Sequence, residues 1–173
     1  DVTGLAYTEF IRQRVLQPIG MSASTYDQPL PDSLFDRAAS GYYADGAAVP
    51  GGHHIYPEIA PAALWTTSSD MARFVIEIQR SLRGESNRVL GQENAALLVT
   101  EVMRDYGLGF NLWTHRGQSY FGHYGANDGF RCRMVAHRSL GYGVVILTNS
   151  DNGHELADAV VRLIGEREGW PGY

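Results

Sequence analysis

The stretch from Tyr120 to Asn149 limits what this chain can fold into more than any other part of it. Phe130, Cys132, Met134 and Ala136 alternate with Arg131, Arg133, Val135 and His137, the period of two expected of a half-buried strand. GYGVVILTN (Gly141–Asn149) follows as a nearly continuous apolar strand, and Ser119, Tyr120 and Phe121 lead in from the other side. The intervening segments are short, so these strands are expected to form an antiparallel meander. Gly122, Gly125 and Gly129 fall within eight residues, with His123 between the first two. Glycine at such positions lets another group approach the main chain closely.

Upstream, YGLGFNLW (Tyr106–Trp113) alternates Tyr106, Leu108, Phe110 and Leu112 with small or polar residues, as a first strand would, and Arg116-Gly117 turns it into the next. Helices are expected on both sides of this block. Tyr7, Phe10, Ile11 and Val15 mark an amphipathic helix stopped by Pro18 and Gly20. Ser68 or Ser69 is the expected cap of a helix whose apolar face is Met71, Phe74, Val75, Ile78 and Leu82, with Asp70 in its first turn and Gly84 at its end. A shorter helix over about Gln92 to Thr100 directs Ala95, Leu98, Val99 and Val102 inward. The last helix is expected to bury Leu156, Val160, Leu163 and Ile164. The expected class is α+β, an antiparallel sheet flanked by helices with a helical and loop region. Residues 1–104 would form that region and line a cleft, and residues 105–173 would form the closing strands and C-terminal helix.

Ser22 to Thr67 is long, irregular and rich in proline and glycine, with Asp45-Gly46 placed to turn a small hairpin. A segment of this length is expected to rim a binding cleft or to cover the surface. Tyr42, Tyr43, Trp65 and Trp113 are available as cleft or core aromatics.

Several classes are excluded or left empty. The net charge is −5 and no basic run occurs, which argues against nucleic acid. No apolar run approaches the roughly 20 residues of a membrane span. Cys132 is the sole cysteine, so no internal disulfide forms. His53-His54 project to opposite sides of an extended segment without carboxylate or thiol ligands nearby, so no metal site is expected. There is no G-x-S-x-G elbow, no P-loop, and no dinucleotide fingerprint; GLGF lacks the third glycine. No cofactor is expected.

HYG (His123–Gly125), following an aromatic-glycine strand and preceding two strands and a final helix, resembles the H-x-G or K-T-G motif of the serine β-lactamase and penicillin-binding-protein-like hydrolases. LAYTEFIRQRVLQPIGM (Leu5–Met21) resembles the helix of that family that ends in P-L-G-M. ALWTTSSDMARFV (Ala63–Val75) is similar to its G-L-W-S-T-A-S-D-L-A-R-F segment, and VVILTNSDNG (Val144–Gly153) to its closing strand. The four stretches occur in the family's order along nearly the whole chain.

The resemblance implies a serine hydrolase acting on ester, amide or peptide bonds through an acyl-enzyme, and it implies roles residue by residue. The residue after the H-x-G glycine, Ala126, would offer its backbone N–H to the oxyanion; Gly125 would allow close approach; His123, where relatives often carry lysine, would aid proton transfer or bind a carboxylate. Beside this stretch Tyr124 and Asn127, and from the aromatics available to a cleft Tyr42 and Trp65, are the expected substrate-site residues, and Asn149 and Asn152 occupy a strand end that touches the substrate carboxylate in some relatives. The family's nucleophile motif, S-x-x-K, is absent, since all 14 cationic residues are arginine. Ser150-Asp151-Asn152 spells S-x-N but follows HYG instead of preceding it, and is expected to be a turn and helix cap. The chain also begins at Asp1 without an initiator Met or leader. The expectation is a C-terminal piece whose complementary segment, or a second copy, covers its open edge. The resemblance leaves the compartment open, export being common among relatives. The alternatives are an inactive peptide- or peptidoglycan-binding module of the same fold, and an interaction domain that folds by itself.

Overall fold

The computed structural model describes residues 3–173; Asp1 and Val2 lie outside the described residues. A four-stranded antiparallel sheet in the order β1-β2-β3-β4 forms its centre, from β1 (Asn111–His115), β2 (Gln118–Asn127), β3 (Phe130–His137) and β4 (Gly143–Thr148). The meander arises from turn chemistry. Arg116 and Gly117 both take positive φ (44° and 81°) between β1 and β2, and Gly129 (78°) and Gly141 (81°) supply the left-handed residues of the next two turns.

β1 starts five residues later than the Tyr106 expected from alternation. Asp105 (φ 57°) and Gly109 (φ 91°) bend the chain here, and the Gly107 N–H donates to the Phe110 carbonyl at 2.8 Å. Gly107 also lies directly against the Leu98 carbonyl, where no side chain fits. In contrast, β2 runs on through His123–Asn127, so Ala126 is a strand residue and the turn falls at Asp128-Gly129.

Helices cover both faces. α3 (Ser68–Leu82) and α4 (Gln92–Leu98) pack on one side, where Val75, Ile78, Val99, Phe110, Phe121 and Ala136 form a core. α5 (Gly153–Arg167) packs on the other, where Tyr120, Val135, Val161 and Trp170 form a second. The segment from α1 (Tyr7–Ile11) continues as a π-helical turn (Arg12–Leu16) and a 3-10 turn (Gln17–Ile19), ends at Gly20 in the left-handed region, and packs Leu16, Ile19 and Met21 against Met71 and Phe74. This is the expected α+β arrangement.

Three details differ from expectation. The cap of α3 is Thr67, whose side chain accepts from the Asp70 N–H at 3.2 Å. α4 ends at Leu98, and Val102 is 60% exposed because the chain has already turned out of the helix. α5 buries Ala157, Val161 and Gly165, while Leu156 and Leu163 stand 58% and 61% exposed. Small residues on the sheet-facing side let this helix approach closely, and Gly165 leaves room for the Tyr173 ring. The larger leucines therefore face outward.

The long segment before α3 is irregular as expected. It contains a 3-10 stretch (Asp32–Arg37), the short α2 (Ile59–Ala62), and a hairpin about Asp45-Gly46 in which the Tyr43 N–H donates to the Ala47 carbonyl at 2.8 Å. Among the described residues, no helix is long and apolar enough to cross a membrane.

Candidate active site

The pairing register leaves part of β2 uncovered. β1 pairs with β2 only as far as Asn111 opposite Gly122, whereas β3 pairs with it through Asn127. Main-chain groups of a strand alternate between its two edges. The Arg138 N–H donates to the Ser119 carbonyl at 2.9 Å, so odd-numbered β2 residues bond towards β3 and even-numbered ones towards β1. Tyr124 and Ala126 thus direct their N–H and C=O groups to the β1 side at a level β1 does not reach. This is an open strand edge two residues from His123.

The faces of β2 are sorted by the same period. His123, Gly125 and Asn127 lie on the face that carries Phe121 and α3, and Tyr124 lies on the α5 face with Tyr120. His123 is exposed, with its Nε2 3.3 Å from the Tyr106 hydroxyl. Asn127 donates its side-chain amide to the Ala62 carbonyl at 2.9 Å, tying the strand end to α2. Beside it, Phe130 meets Trp65 edge-on at 6.1 Å, and Trp65 meets His53 edge-on at 4.8 Å. Trp65 is held by reciprocal main-chain bonds to Thr25, both 2.9 Å. Cys132 lies opposite Gly125 with its thiol against the space a side chain there would need. Burial pushes that thiol's pKa up, partly offset by a backbone hydrogen bond at Gly125.

Other expected site residues have different neighbours. The Tyr124 ring packs under the Arg133 guanidinium at 4.7 Å and edge-on to His154 at 5.5 Å, away from the face of His123. The side-chain amides of Asn149 and Asn152 donate to the Ser40 and Ala44 carbonyls, both at 2.9 Å. Tyr42 is fixed between them by its main chain: its N–H bonds the Asn149 carbonyl at 3.1 Å, and its carbonyl accepts from Asp151 at 2.9 Å. These residues lash the long loop to the end of β4. The structure thus brings together His123, Gly125, Ala126, Asn127 and, at the border, Trp65; it sets Tyr42, Tyr124, Asn149 and Asn152 apart from them.

Ser150–Asn152 is a turn, as expected, but it does not cap α5 through a side chain, since Asn152 precedes the helix and turns its amide to Ala44 instead. Its Asp151 accepts from the Gly129 N–H at 2.9 Å and pairs with Arg131 at 2.8 Å. His53 and His54 point apart: His54 lies 3.6 Å from Asp128 and 3.4 Å from the Tyr43 hydroxyl. Among the described residues no cluster of three or more His, Cys, Asp or Glu is arranged to hold a metal ion. Hollows of about 390 and 320 Å³ lie towards the β1–β2 turn, lined by residues such as Arg83, Gln118 and Arg138, and neither reaches His123 or Ala126. Tyr106 and His154 are contacts of the site that sequence reasoning missed. The apolar alternation about Tyr106 reads as a strand, and His154 has no sequence signal beyond its place in the first turn of α5.

A profile described as Beta-lactamase matches residues 1–167. No curated protein matches the chain. Among solved structures, the fold is similar to a D-alanine carboxypeptidase AmpC from Burkholderia cenocepacia (TM-score 0.75, 18% identity, 95% of this chain and 56% of that one). It is also similar to a D-amino acid amidase from Ochrobactrum anthropi SV3 complexed with D-phenylalanine (TM-score 0.68, 20% identity, 95% and 56%). A third is the octameric penicillin-binding protein homologue from Pyrococcus abyssi (TM-score 0.69, 20% identity, 95% and 39%). The chain therefore spans between 39% and 56% of the length of these structures.

Proposed function

From the premise that this chain belongs to the beta-lactamase family, we propose that it forms the substrate-aligning wall of a serine hydrolase that opens ester or amide bonds through an acyl-enzyme. The observation that carries this reading is the open edge of β2 at Tyr124–Ala126 beside the exposed His123.

A carbonyl under attack becomes a tetrahedral oxyanion, and preorganised N–H donors stabilise it more than they stabilise the planar substrate. The Ala126 N–H is such a donor: it is held in a sheet, aimed at the open edge, and close to a glycine that admits a substrate. The Ala126 and Tyr124 carbonyls accept from the N–H groups of an extended substrate, which joins the sheet as an added strand. His123, hydrogen-bonded to Tyr106, exchanges protons with the reacting groups or, when protonated, binds a substrate carboxylate. Asn127 fixes the strand end, and Trp65 and Phe130 border the substrate side chain. The relatives named as an amidase and a carboxypeptidase favour amide and peptide substrates ending in a D-residue.

The nucleophile in this reading is borne by a companion segment, since a Ser-x-x-Lys motif needs a lysine and this chain has none. The step is then acyl transfer from substrate to the companion's serine, departure of the amine or alcohol with a proton, and hydrolysis of the ester by water.

The test is activity-based labelling of the chain together with the polypeptide that completes it, using a fluorophosphonate and a penicillin. Label is expected on the companion, with no serine of residues 1–173 modified. Label on Ser150 or on another serine here would overturn the division of labour, and no label at all would favour an inactive binding module. Ala126→Pro, which deletes the N–H, is expected to reduce acylation by about 100-fold, the scale of losing one oxyanion donor.

A further inference from the structure

Ala126 shares a peptide unit with Gly125, and the carbonyl of that unit points the opposite way. It faces β3, and there it is also met from the α5 side by His154, whose Nε2 is 3.2 Å from the Gly125 oxygen. The approach of His154 is fixed by the start of α5. A side chain at Gly153 would overlap the Thr148 hydroxyl, so only glycine allows the helix to begin this close to the end of β4. The imidazole is further held edge-on to the Tyr124 ring at 5.5 Å. That ring is capped by the Arg133 guanidinium, which is in turn ion-paired with Asp158 one turn along α5. The carbonyl can only accept, so Nε2 carries the proton in this contact.

We propose that His154 is a positioning residue for the oxyanion donor. By donating to the Gly125 carbonyl on one edge of β2, it polarises and orients the Gly125–Ala126 peptide whose N–H faces substrate on the other. Hydrogen bonds in series through a peptide group strengthen one another, by about 10–30% per bond in condensed phase. Losing one oxyanion donor costs roughly 100- to 1,000-fold in rate. A donor weakened by that fraction therefore costs about two- to eight-fold. The β2–β3 ladder, with Gly125 opposite Cys132, already holds the plane of this peptide, and the His154 contact adds a further donor to its carbonyl. The catalytic consequence rests on the reading of Ala126 given above, but the link between His154 and the Ala126 amide does not.

Two variants separate donation from packing. His154→Phe keeps an aromatic edge against Tyr124 and loses the donor; His154→Gln restores an N–H at similar reach. In the chain with its companion, Ala126 is observed directly by its amide proton resonance and hydrogen exchange, with thermal unfolding as a control for integrity. The amide proton is expected to move upfield in His154→Phe, as its hydrogen bonding weakens, and to return towards its original position in His154→Gln. The acylation rate is expected to follow, down about two- to eight-fold in the first variant and recovered in the second. An Ala126 resonance unchanged in His154→Phe, or displaced equally in both variants, would overturn the proposal. A resonance that moves as expected without change in acylation would leave the polarised peptide standing and sink the role of Ala126 as oxyanion donor.

Discussion

The thiol of Cys132 occupies the space that a side chain on Gly125 would fill: a Cβ built on Gly125 would overlap Cys132 Sγ. The glycine of the H-x-G stretch is therefore favoured by packing against β3, whatever approaches its other side. Gly125→Ala forces the thiol to rotate or the strands to part, and is expected to destabilise the fold by about 1–3 kcal/mol. Adding Cys132→Ala should recover most of that loss. A double-mutant cycle by urea unfolding checks the pair, and additive effects would show that the two side chains do not compete for this space.

His137 makes stability depend on pH. Its Nδ1 accepts the N–H groups of Ser139 and Leu140 at 3.1 and 3.0 Å, and its Nε2 is 3.1 Å from Gln118 Oε1. Nδ1 accepts only while the ring is neutral, with Nε2–H donating to Gln118, and burial lowers the pKa below the usual 6.5. The unfolded chain binds more protons than the folded one between the two values, so this contribution is complete above about pH 6.5 and is lost as pH falls through the folded pKa. The slope from this one group reaches at most about 1.4 kcal/mol per pH unit. His137→Asn, which keeps an acceptor for the turn, should flatten the profile between pH 7 and 5 relative to the wild type. Parallel profiles would mean that other groups govern the acid limb.

Asp70 is expected to hold the long loop in place. It is 2% exposed and accepts from the Ala23 N–H and the Ser24 hydroxyl at 2.8 Å and from Arg73 at 2.6 Å. Those loop residues precede Thr25, which pairs with Trp65 at the border of the site. Asp70→Ala strands the Ala23 main-chain N–H and removes the loop's shared acceptor, while the Ser24 hydroxyl keeps Thr66 Oγ1 at 2.7 Å, and should cost about 2–4 kcal/mol. Ser24→Ala removes the hydroxyl's contacts with Asp70 and Thr66 but leaves the main-chain anchor, and should cost about 1 kcal/mol. Equal losses in the two variants would show that the carboxylate does not act as the shared anchor.

What could be read in the sequence was whatever depends on neighbours along the chain. β3 was readable because Phe130 to His137 alternate without interruption, and the Arg116-Gly117 turn because few residue pairs favour two positive φ values. Tyr106 to Phe110 alternate equally well yet form turns, since the packing of Gly107 against Leu98 is a contact across the fold. In α5 the largest apolar residues suggested the buried side, but close approach to the sheet selected Ala157 and Gly165. The HYG stretch is recognisable, and its resemblance implies a sheet edge, whereas how much of β2 stays uncovered is not legible: that depends on where β1 stops. The same holds for His123 and Tyr106, which meet only after an intervening turn and strand. Asn149 and Asn152 tie down a loop through their side-chain amides, a use that polar side chains at strand ends serve as readily as binding.

The outward leucines of α5 supply the sharpest test of the proposal that a companion segment completes this fold. Leu156 and Leu163 are more than half exposed, with the half-buried Val160 between them. Among the described residues β4 (Gly143–Thr148) pairs along its length with β3 alone, Tyr42 bridging only beyond its end at Ser150, so its outer edge is open beside the 38% exposed Leu147. An apolar stripe and an unpaired strand edge are both surfaces that a folded protein normally covers. If the companion covers the stripe, replacing both leucines by glutamate removes two buried side chains worth about 1.5–3 kcal/mol each. Association should then weaken by at least about 100-fold, roughly 2.7 kcal/mol. The stability of residues 1–173 alone should change by only about 0.5 kcal/mol per substitution, as for other surface positions. Titration calorimetry with the companion and urea unfolding of the chain alone measure the two quantities separately. Unimpaired association would place the companion elsewhere, whereas a large loss of stability in the isolated chain would mean that these leucines already pack within it.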